Sequence, residues 1–364
     1  MNSEAPQRLI GVDAARGLAL IGMMAVHILP SRDPDNTIST AYFIASGRSS
    51  ALFAVLAGVG LALAYGRTEP PKGEALRAAG TALVVRAAVI GLIGLFLGEL
   101  QSGVAVILVN YGFLFLLASV FLGLRAKALL WMASLWVVAG PVLSHLLRMR
   151  LPEPGLSVPD FDMLAQPVLL FREIFLTGYY PLFSWMAYLW MGMGLGRLNM
   201  KPNALKIFFV GGALAVAAKA GSALLLGPLG GSRFVDELPI QFFGVTPTTT
   251  WWYLAVSTPH SATPFDLAHT LGTSLLVIGA CLLIAGLVHW IAAAGAMTLS
   301  IYTFHVAALA TGAGRDDRMS LFLIHGSVAI VFGLLWRHFV GRGPLESMTA
   351  TLSQTAREVV VNHR

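Results

Sequence analysis

Long apolar runs recur ten times along this chain of 364 residues, and short polar stretches separate them. A helix rises 1.5 Å per residue, so about twenty apolar residues cross the roughly 30 Å hydrocarbon core of a bilayer. Only 12% of the residues are charged, whereas a soluble domain carries about a quarter. We therefore expect an all-α, polytopic transmembrane helix bundle with about ten spans. The predicted spans cover residues 10–30, 46–66, 77–98, 103–123, 127–147, 178–197, 204–226, 264–288, 292–313 and 319–339.

The positive charges predict the orientation, because lysine and arginine concentrate in cytoplasmic loops. With the N-terminus inside, thirteen of them lie on the cytoplasmic side and seven outside. Both termini are therefore predicted to be cytoplasmic, with residues 1–340 forming one transmembrane domain and 341–364 a cytoplasmic amphipathic tail. The first apolar run lacks a small-residue cleavage site, so we expect a retained helix rather than a cleaved signal peptide.

The net charge of +6 does not indicate a nucleic-acid partner, because the charges lie at helix ends and not on one basic face. The single cysteine, Cys281, lies in an apolar run and excludes an internal disulfide or a thiolate metal cluster. Two long connections, 148–177 and 227–263, are rich in proline and glycine and are expected to contain short helices.

Polar residues inside the spans are the strongest indication of function. A charge at the centre of a bilayer costs at least about 2.5–3.5 kcal/mol, so such residues tend to face a cavity or a partner. Some have ordinary explanations: Lys219 can extend to the interface, and Asp13 with Arg16 can form an ion pair on one helix. The polar residues within the spans are Asp13, Arg16, His27, Arg48, Arg86, Asn110, Tyr111, Lys219, Asp266, His269, Tyr302, His305 and His325.

The first span places Arg16 and His27 on one stripe, because eleven residues make nearly three turns, about 16 Å of helix. His27 then lies in the outer half of the membrane, where further histidines predict a polar vestibule. Histidine is the natural general base for an alcohol or amine, and arginine suits a phosphate-bearing donor such as acyl-coenzyme A. No metal is expected, because no helix carries histidines or carboxylates at ligand spacing.

The segment from Arg8 to His27 resembles the opening helix of the heparan-α-glucosaminide N-acetyltransferase-like membrane proteins, within a wider group of transmembrane acyltransferases. That helix has an arginine and a histidine eleven residues apart. One departure is Ser184, where the family pattern has a second proline before the tryptophan. The later similar blocks, in chain order, are Gly47-Arg48-Ser49-Ser50 to Gly58, Tyr180-Pro181 to Gly196-Arg197, His260-Ser261 to Asp266, Met297 to His305 with Tyr302, and Gly343-Pro344-Leu345-Glu346.

The resemblance implies a bacterial inner-membrane enzyme that moves an acyl group, most simply acetyl from acetyl-CoA, to a hydroxyl or amine of an extracytoplasmic glycan or glycolipid. It implies no metal cofactor, and it leaves a homodimer open. The long lumenal domain of the animal enzyme is absent, so a polysaccharide acceptor does not follow. By resemblance His27 is the catalytic histidine, which either takes a proton from the acceptor or carries the acyl group transiently. The implied donor-binding residues are Arg48, Arg86, Arg16 and Asp13, and the implied cavity and acceptor residues are Tyr302, His305, His260, Ser261, Asp266 and His269.

Two other functions stay open at this stage. Charged residues in several spans also suit a transporter of a lipid or small polar solute, although the halves show no convincing internal similarity. A non-catalytic membrane partner that docks through the loops 148–177 and 227–263 is the third reading. It predicts that the polar residues of the spans are dispensable.

Overall fold

The computed structural model describes residues 9–362 and contains almost only helix within them. No strand is present in this part of the chain; a single isolated bridge joins Arg32 to Ile38. The predicted all-α class is therefore confirmed. The α-helices are α1 Ile10–Ile28, α2 Thr40–Ala45, α3 Arg48–Ala64, α4 Gly73–Glu99, α5 Leu108–Phe121, α6 Ala126–Arg148, α7 Pro167–Arg172, α8 Leu182–Gly196, α9 Ala204–Leu226, α10 Pro264–Leu283, α11 His289–Gly295, α12 Thr298–Ala310, α13 Arg318–Phe339 and α14 Pro344–Asn362.

Every predicted span corresponds to a helix or a broken helix. By length and hydropathy, seven described helices can cross a membrane, or eight if α11 and α12 form one span. Helices α5 and α8 have 14 and 15 residues, which makes each only about 21–23 Å long. The chain is thus a multi-pass helical membrane protein, and the count of ten spans stays a prediction.

Three spans differ from their predicted form, two by a break or bend and one by its first residue. The second begins earlier than predicted, at Thr40, and breaks at Gly47, whose positive φ of 71° suits glycine. The fourth begins at Leu108, although the prediction began it at 103, and its Asn110-Tyr111-Gly112 segment stays helical. The ninth bends by 71° between α11 and α12. The two long connections contain the short helices that were expected: turns at Asp162–Ala165, Glu173–Thr177, Gly231–Phe234 and Trp251–Ala255, together with α7.

Glycines allow the helices to approach closely. A Cβ atom on Gly58 of α3 or on Gly192 of α8 would collide with the backbone of the other helix, and the same holds for Gly17 of α1 and Gly295 of α11. Lipid offers no hydrophobic drive between helices, so close backbone contact at small residues is a main source of their association. Helix α1 is central, because it packs against α3, α10, α11 and α13.

A buried arginine joins three helix ends on the predicted cytoplasmic side. Arg197, which ends α8 and is 3% exposed, donates from Nη1 to the carbonyls of Tyr65 (2.8 Å) and Arg67 (3.0 Å). Its Nη2 donates to the carbonyl of Leu122 at 2.6 Å. Tyr65 and Leu122 are the C-caps of α3 and α5, whose last carbonyls have no partner within the helix. One guanidinium therefore satisfies carbonyls at the negative ends of two helices.

We expect Arg197→Gln to lower the free energy of unfolding by about 2–4 kcal/mol, because hydrogen bonds to charged groups contribute about 1.5–3 kcal/mol each and the freed carbonyls stay buried. The measurement is the thermal midpoint of the purified protein in detergent micelles. Lys201→Gln, at an exposed position four residues on, is the matched control and should leave the midpoint unchanged. Equal midpoints for the two variants would contradict the role given to Arg197.

Candidate active site

A polar cavity of about 240 Å³ opens at the outer end of α1, and we call it the outer pocket. Its polar lining comes from α1, α2, the first turn of α3, α12 and the loops before α8 and α10. His27 and Tyr302 lie at its base. The polar residues around it are His27, Tyr42, Ser49, Ser50, Tyr179, Tyr180, Gln241, His260 and Tyr302.

His27 is held by its neighbours in one ring orientation. Its Nδ1 lies 3.1 Å from Nε2 of His305, and the two rings stack with centroids 5.4 Å apart. Tyr302 meets the His27 ring edge-on, with centroids 6.4 Å apart. Because Nδ1 is engaged, Nε2 is the nitrogen left to act on a molecule in the outer pocket. The spacing argument predicted the depth of His27, and the structure adds this partner.

His260 forms another wall of the outer pocket from the loop before α10. The backbone of this loop is unusual, because His260 and Ala262 both have positive φ, 59° and 50°. The carbonyl of His260 accepts from the amide of Gly244 (2.9 Å). This bond joins two segments of the long connection between α9 and α10. Burial lowers the pKa of His260 to about 4, so its imidazole is neutral near pH 7.

A second, larger cavity of about 460 Å³ lies toward the predicted cytoplasmic side, and we call it the inner pocket. Three arginines line it: Arg16 of α1, Arg86 of α4, and Arg342 just before α14. Arg16 donates to Asp13 (3.1 Å) and to the carbonyl of Leu56 (3.3 Å), so the predicted ion pair within α1 is present. The lining thus has an excess of positive charge.

Arg86 has hydrogen-bonding capacity that the protein does not use. Its Nε is buried and has no hydrogen-bond partner among the described residues, and its guanidinium lies 5.8 Å from the centre of the Phe115 ring. A buried donor of this kind normally has a partner, since leaving it unpaired costs about 1–3 kcal/mol or more for a charged group. An anionic ligand in the inner pocket would supply that partner.

Helix α14 coincides with the predicted tail, packs along α4 and closes one side of the inner pocket. Its Glu346 accepts hydrogen bonds from the amides of Leu299 (2.7 Å) and Ser300 (3.2 Å), and from the Ser300 hydroxyl (2.6 Å). These amides belong to the first turn of α12, where a carboxylate normally caps a helix from its own N-terminus. Glu346 caps α12 from another helix and so fixes α14 beside the pocket.

Tyr302 separates the two pockets and lines both of them. It lies on α12 and is 2% exposed, with its hydroxyl 3.5 Å from the amide of Ile107. Arg16 and His27 therefore face different pockets, although they share one helix. Helix α1 thus places Arg16 in the cationic inner pocket and His27 in the outer pocket, and Tyr302 lies between the two pockets.

Six of the residues implied by resemblance lie outside the linings of both pockets: Asp13, Arg48, Ser261, Asp266, His269 and His305. Arg48 donates from Nε to His269 (3.2 Å) and from Nη1 to the carbonyl of Phe43. His269 contacts the carbonyl of Ala215 through Nδ1 (3.1 Å), so both of its nitrogens are engaged. Together these bonds join α3, α9 and α10 behind the outer pocket.

Two more of these residues, Ser261 and Asp266, shape the loop that contains His260. Asp266 accepts from the amide of Ala262 (3.0 Å), and the Ser261 hydroxyl lies 3.3 Å from that of Thr263. Lys219 donates to the carbonyl of Ser257 at 2.7 Å and therefore reaches the same loop from α9. These contacts are structural in kind: they hold the backbone beside the outer pocket.

Sequence reasoning missed several residues that line the pockets. Tyr179 and Gln241 come from the long connections, where no helical periodicity indicates their direction. Arg342 belongs to the segment assigned to the tail. The available signal was the clustering of aromatic and amide residues in loops on the outer side. Among the described residues, no group of three or more His, Cys, Asp or Glu side chains is arranged to hold a metal ion.

Comparison with known proteins gives one match. The family model described as heparan-alpha-glucosaminide N-acetyltransferase, catalytic, matches residues 8–223, more than half of the chain. This region includes His27, Arg16 and Arg86, whereas α12 and α14 lie beyond it. No curated protein and no solved structure matches the chain. This match, together with the membrane-crossing helices, identifies the chain as a multi-pass membrane member of the heparan-α-glucosaminide N-acetyltransferase catalytic family.

Proposed function

We propose that this protein transfers an acyl group, most simply acetyl, from acyl-coenzyme A in the inner pocket to a hydroxyl or amine in the outer pocket. The acceptor is an extracytoplasmic glycan or glycolipid, and the protein acts in the bacterial inner membrane. The observation that supports this most directly is the position of Tyr302 between a cationic cavity and a cavity that contains His27. Family membership supports the reaction type.

The inner pocket suits the donor because coenzyme A carries phosphates and a long, uncharged pantetheine arm. Arg16, Arg86 and Arg342 provide three positive charges where the lining has one carboxylate, Glu346. Arg16 is paired with Asp13, and Glu346 is engaged by the first turn of α12, so Arg86 and Arg342 carry the positive charge that is left to an anion. Arginine binds phosphate through paired, geometrically fixed donors. With the phosphates there, the thioester would reach toward Tyr302 and the outer pocket.

The outer pocket suits the acceptor because its lining combines aromatic rings, an amide and hydroxyl groups, as sites for sugar-like molecules do. The oxygen or nitrogen of the acceptor would attack the thioester carbonyl while His27 takes the proton from that atom. The carbon–sulfur bond then breaks and the thiolate leaves. Arg48 contributes indirectly in this proposal, by holding the outer ends of α3 and α10 in place through His269.

We expect His27→Ala to reduce acetyl transfer by about 10²–10⁴-fold, the usual contribution of a general base. The assay measures release of the coenzyme A thiol from acetyl-CoA by the purified protein, with glucosamine and separately an envelope glycolipid extract as acceptor. Cys281 is 2% exposed and should not react with the thiol reagent. His338→Ala, at an exposed position on α13, is the control and should keep the wild-type rate. A wild-type rate in His27→Ala would contradict the proposal, as would solute counterflow without any acyl donor.

We expect Arg86→Met to weaken binding of coenzyme A by about tenfold, because one charge-assisted hydrogen bond contributes about 1.5–3 kcal/mol and tenfold corresponds to 1.4 kcal/mol. Titration calorimetry of the detergent-solubilised protein measures the Kd. Arg125→Met changes an exposed arginine outside both pockets and should leave the Kd unchanged. The donor site lies elsewhere if Arg86→Met and Arg342→Met both bind coenzyme A like the wild type.

A further inference from the structure

Three histidines from three helices lie in series behind the outer pocket. Nδ1 of His27 on α1 is 3.1 Å from Nε2 of His305 on α12. Nδ1 of His305 is 2.8 Å from Nδ1 of His325 on α13, with the two rings at 86° to each other. We call these residues the imidazole chain. Two unbroken hydrogen bonds connect its ends.

The imidazole chain has only two hydrogen-bond directions when its rings are neutral. A neutral imidazole has one donor nitrogen and one acceptor nitrogen, and both nitrogens of His305 are engaged. If His27 is to act as a base through Nε2, its proton sits on Nδ1 and is donated to His305. His305 must then donate from Nδ1 to His325. The direction required for catalysis is thus also a continuous path along which a proton can move outward.

The middle of the imidazole chain is more deeply buried than its end at His325. His305 is 1% exposed and lines neither pocket, so it cannot exchange a proton except through its neighbours. His325 is only partly buried. Leu321 and Arg318, four and seven residues before it on α13, share its helix face. Both line a third cavity, of about 170 Å³, whose lining includes His27 and Arg315 but not His325 itself; we call it the exit pocket.

We propose that the imidazole chain conducts the proton taken by His27 away from the reaction centre to His325 beside the exit pocket. This inference rests on the proposed function. His27 is the catalytic residue, because it would touch the acceptor. His305 and His325 act through it by removing the positive charge that would otherwise stay on a buried imidazolium.

The proton balance of the step is complete. The acceptor's proton moves to Nε2 of His27 while its oxygen or nitrogen bonds to the acyl carbon, and the thiolate leaves and takes a proton from water on the donor side. The Nδ1 proton of His27 passes to Nε2 of His305. The Nδ1 proton of His305 passes to Nδ1 of His325, which releases its Nε2 proton to water. After product release, Nε2 of His325 takes a proton from water, its Nδ1 proton returns to Nδ1 of His305, and the Nε2 proton of His305 returns to Nδ1 of His27. His27 gives its Nε2 proton to water in the outer pocket, which restores the starting tautomers.

The charged and titratable groups around the imidazole chain favour release at its outer end. Arg315 and Arg318 line the exit pocket, and a cation at His325 is unfavourable near them. Asp317 on the same loop accepts from the amide of Ser320, as the cap of α13. On the outer-pocket side, the titratable groups beside His27 are His260, Tyr42, Tyr179, Tyr180 and Tyr302.

The test compares His325→Gln with the wild type, because glutamine can hydrogen-bond but cannot pass a proton. The readouts are thiol release from acetyl-CoA with glucosamine, its pH profile, and its rate across mixtures of H₂O and D₂O. We expect the wild type to give a curved dependence on deuterium fraction, since several protons move together. His325→Gln should be about tenfold slower, the lower part of the range for proton-transfer catalysis, with a linear dependence. Millimolar imidazole should restore part of the rate of His325→Ala.

Control variants separate the imidazole chain from the proposed function. His338→Gln, on the same helix and exposed, should match the wild type in every readout. His305→Gln should resemble His325→Gln in isotope dependence while it still binds coenzyme A, which shows that it is folded. Proton conduction along the imidazole chain is contradicted if His27→Gln is inactive while His325→Gln keeps the wild-type rate, pH profile and curved dependence on deuterium fraction. If His27→Gln itself stays fully active, the proposed function fails instead.

Discussion

A polar group inside a bilayer must find its partners within the protein, and this constraint organises the whole molecule. Where the partners are complete, the residue holds the fold: Arg197 satisfies helix-end carbonyls, and Arg48 with His269 joins three helices. Where a hydrogen-bonding nitrogen is left without a partner, the residue faces a cavity. Nε of Arg86 has no hydrogen-bond partner within residues 9–362, and Nδ1 of His27 is engaged by His305, which leaves Nε2 for a ligand. Unused hydrogen-bonding capacity therefore distinguishes the candidate site from the scaffold.

The positions of the helices were predictable because each apolar run can be recognised from its own residues, by its hydropathy and its length. Their interruptions were not. The bend between α11 and α12 falls inside an apolar run, where hydropathy is alike on both sides. The break at Gly47 depends on a backbone conformation that suits glycine, yet other glycines in the spans are simply packing residues. Helix α14 could be recognised as amphipathic, but its contact with α4 could not, because that contact involves segments far apart in the chain.

The candidate site divides in the same way. Arg16 and His27 lie on one helix, so their spacing alone fixed their relative depth and direction. Depth alone was known for Arg48, His269 and His305, because the rotation of each helix about its axis is set by neighbours. Arg48 contacts His269 and lies outside the linings of both pockets. The contact between His27 and His305 requires that two helices be turned toward each other, which no single segment specifies.

The cap that Glu346 places on α12 also links the two sides of the molecule. Helix α14 closes one side of the inner pocket, and the carboxylate of its Glu346 accepts from the first turn of α12. Helix α12 in turn carries Tyr302, which lines both pockets, and His305, which contacts His27. A displacement of α14 therefore uncaps the helix that forms the wall between the pockets, so the position of α14 on the inner side bears on the geometry of His27 on the outer side.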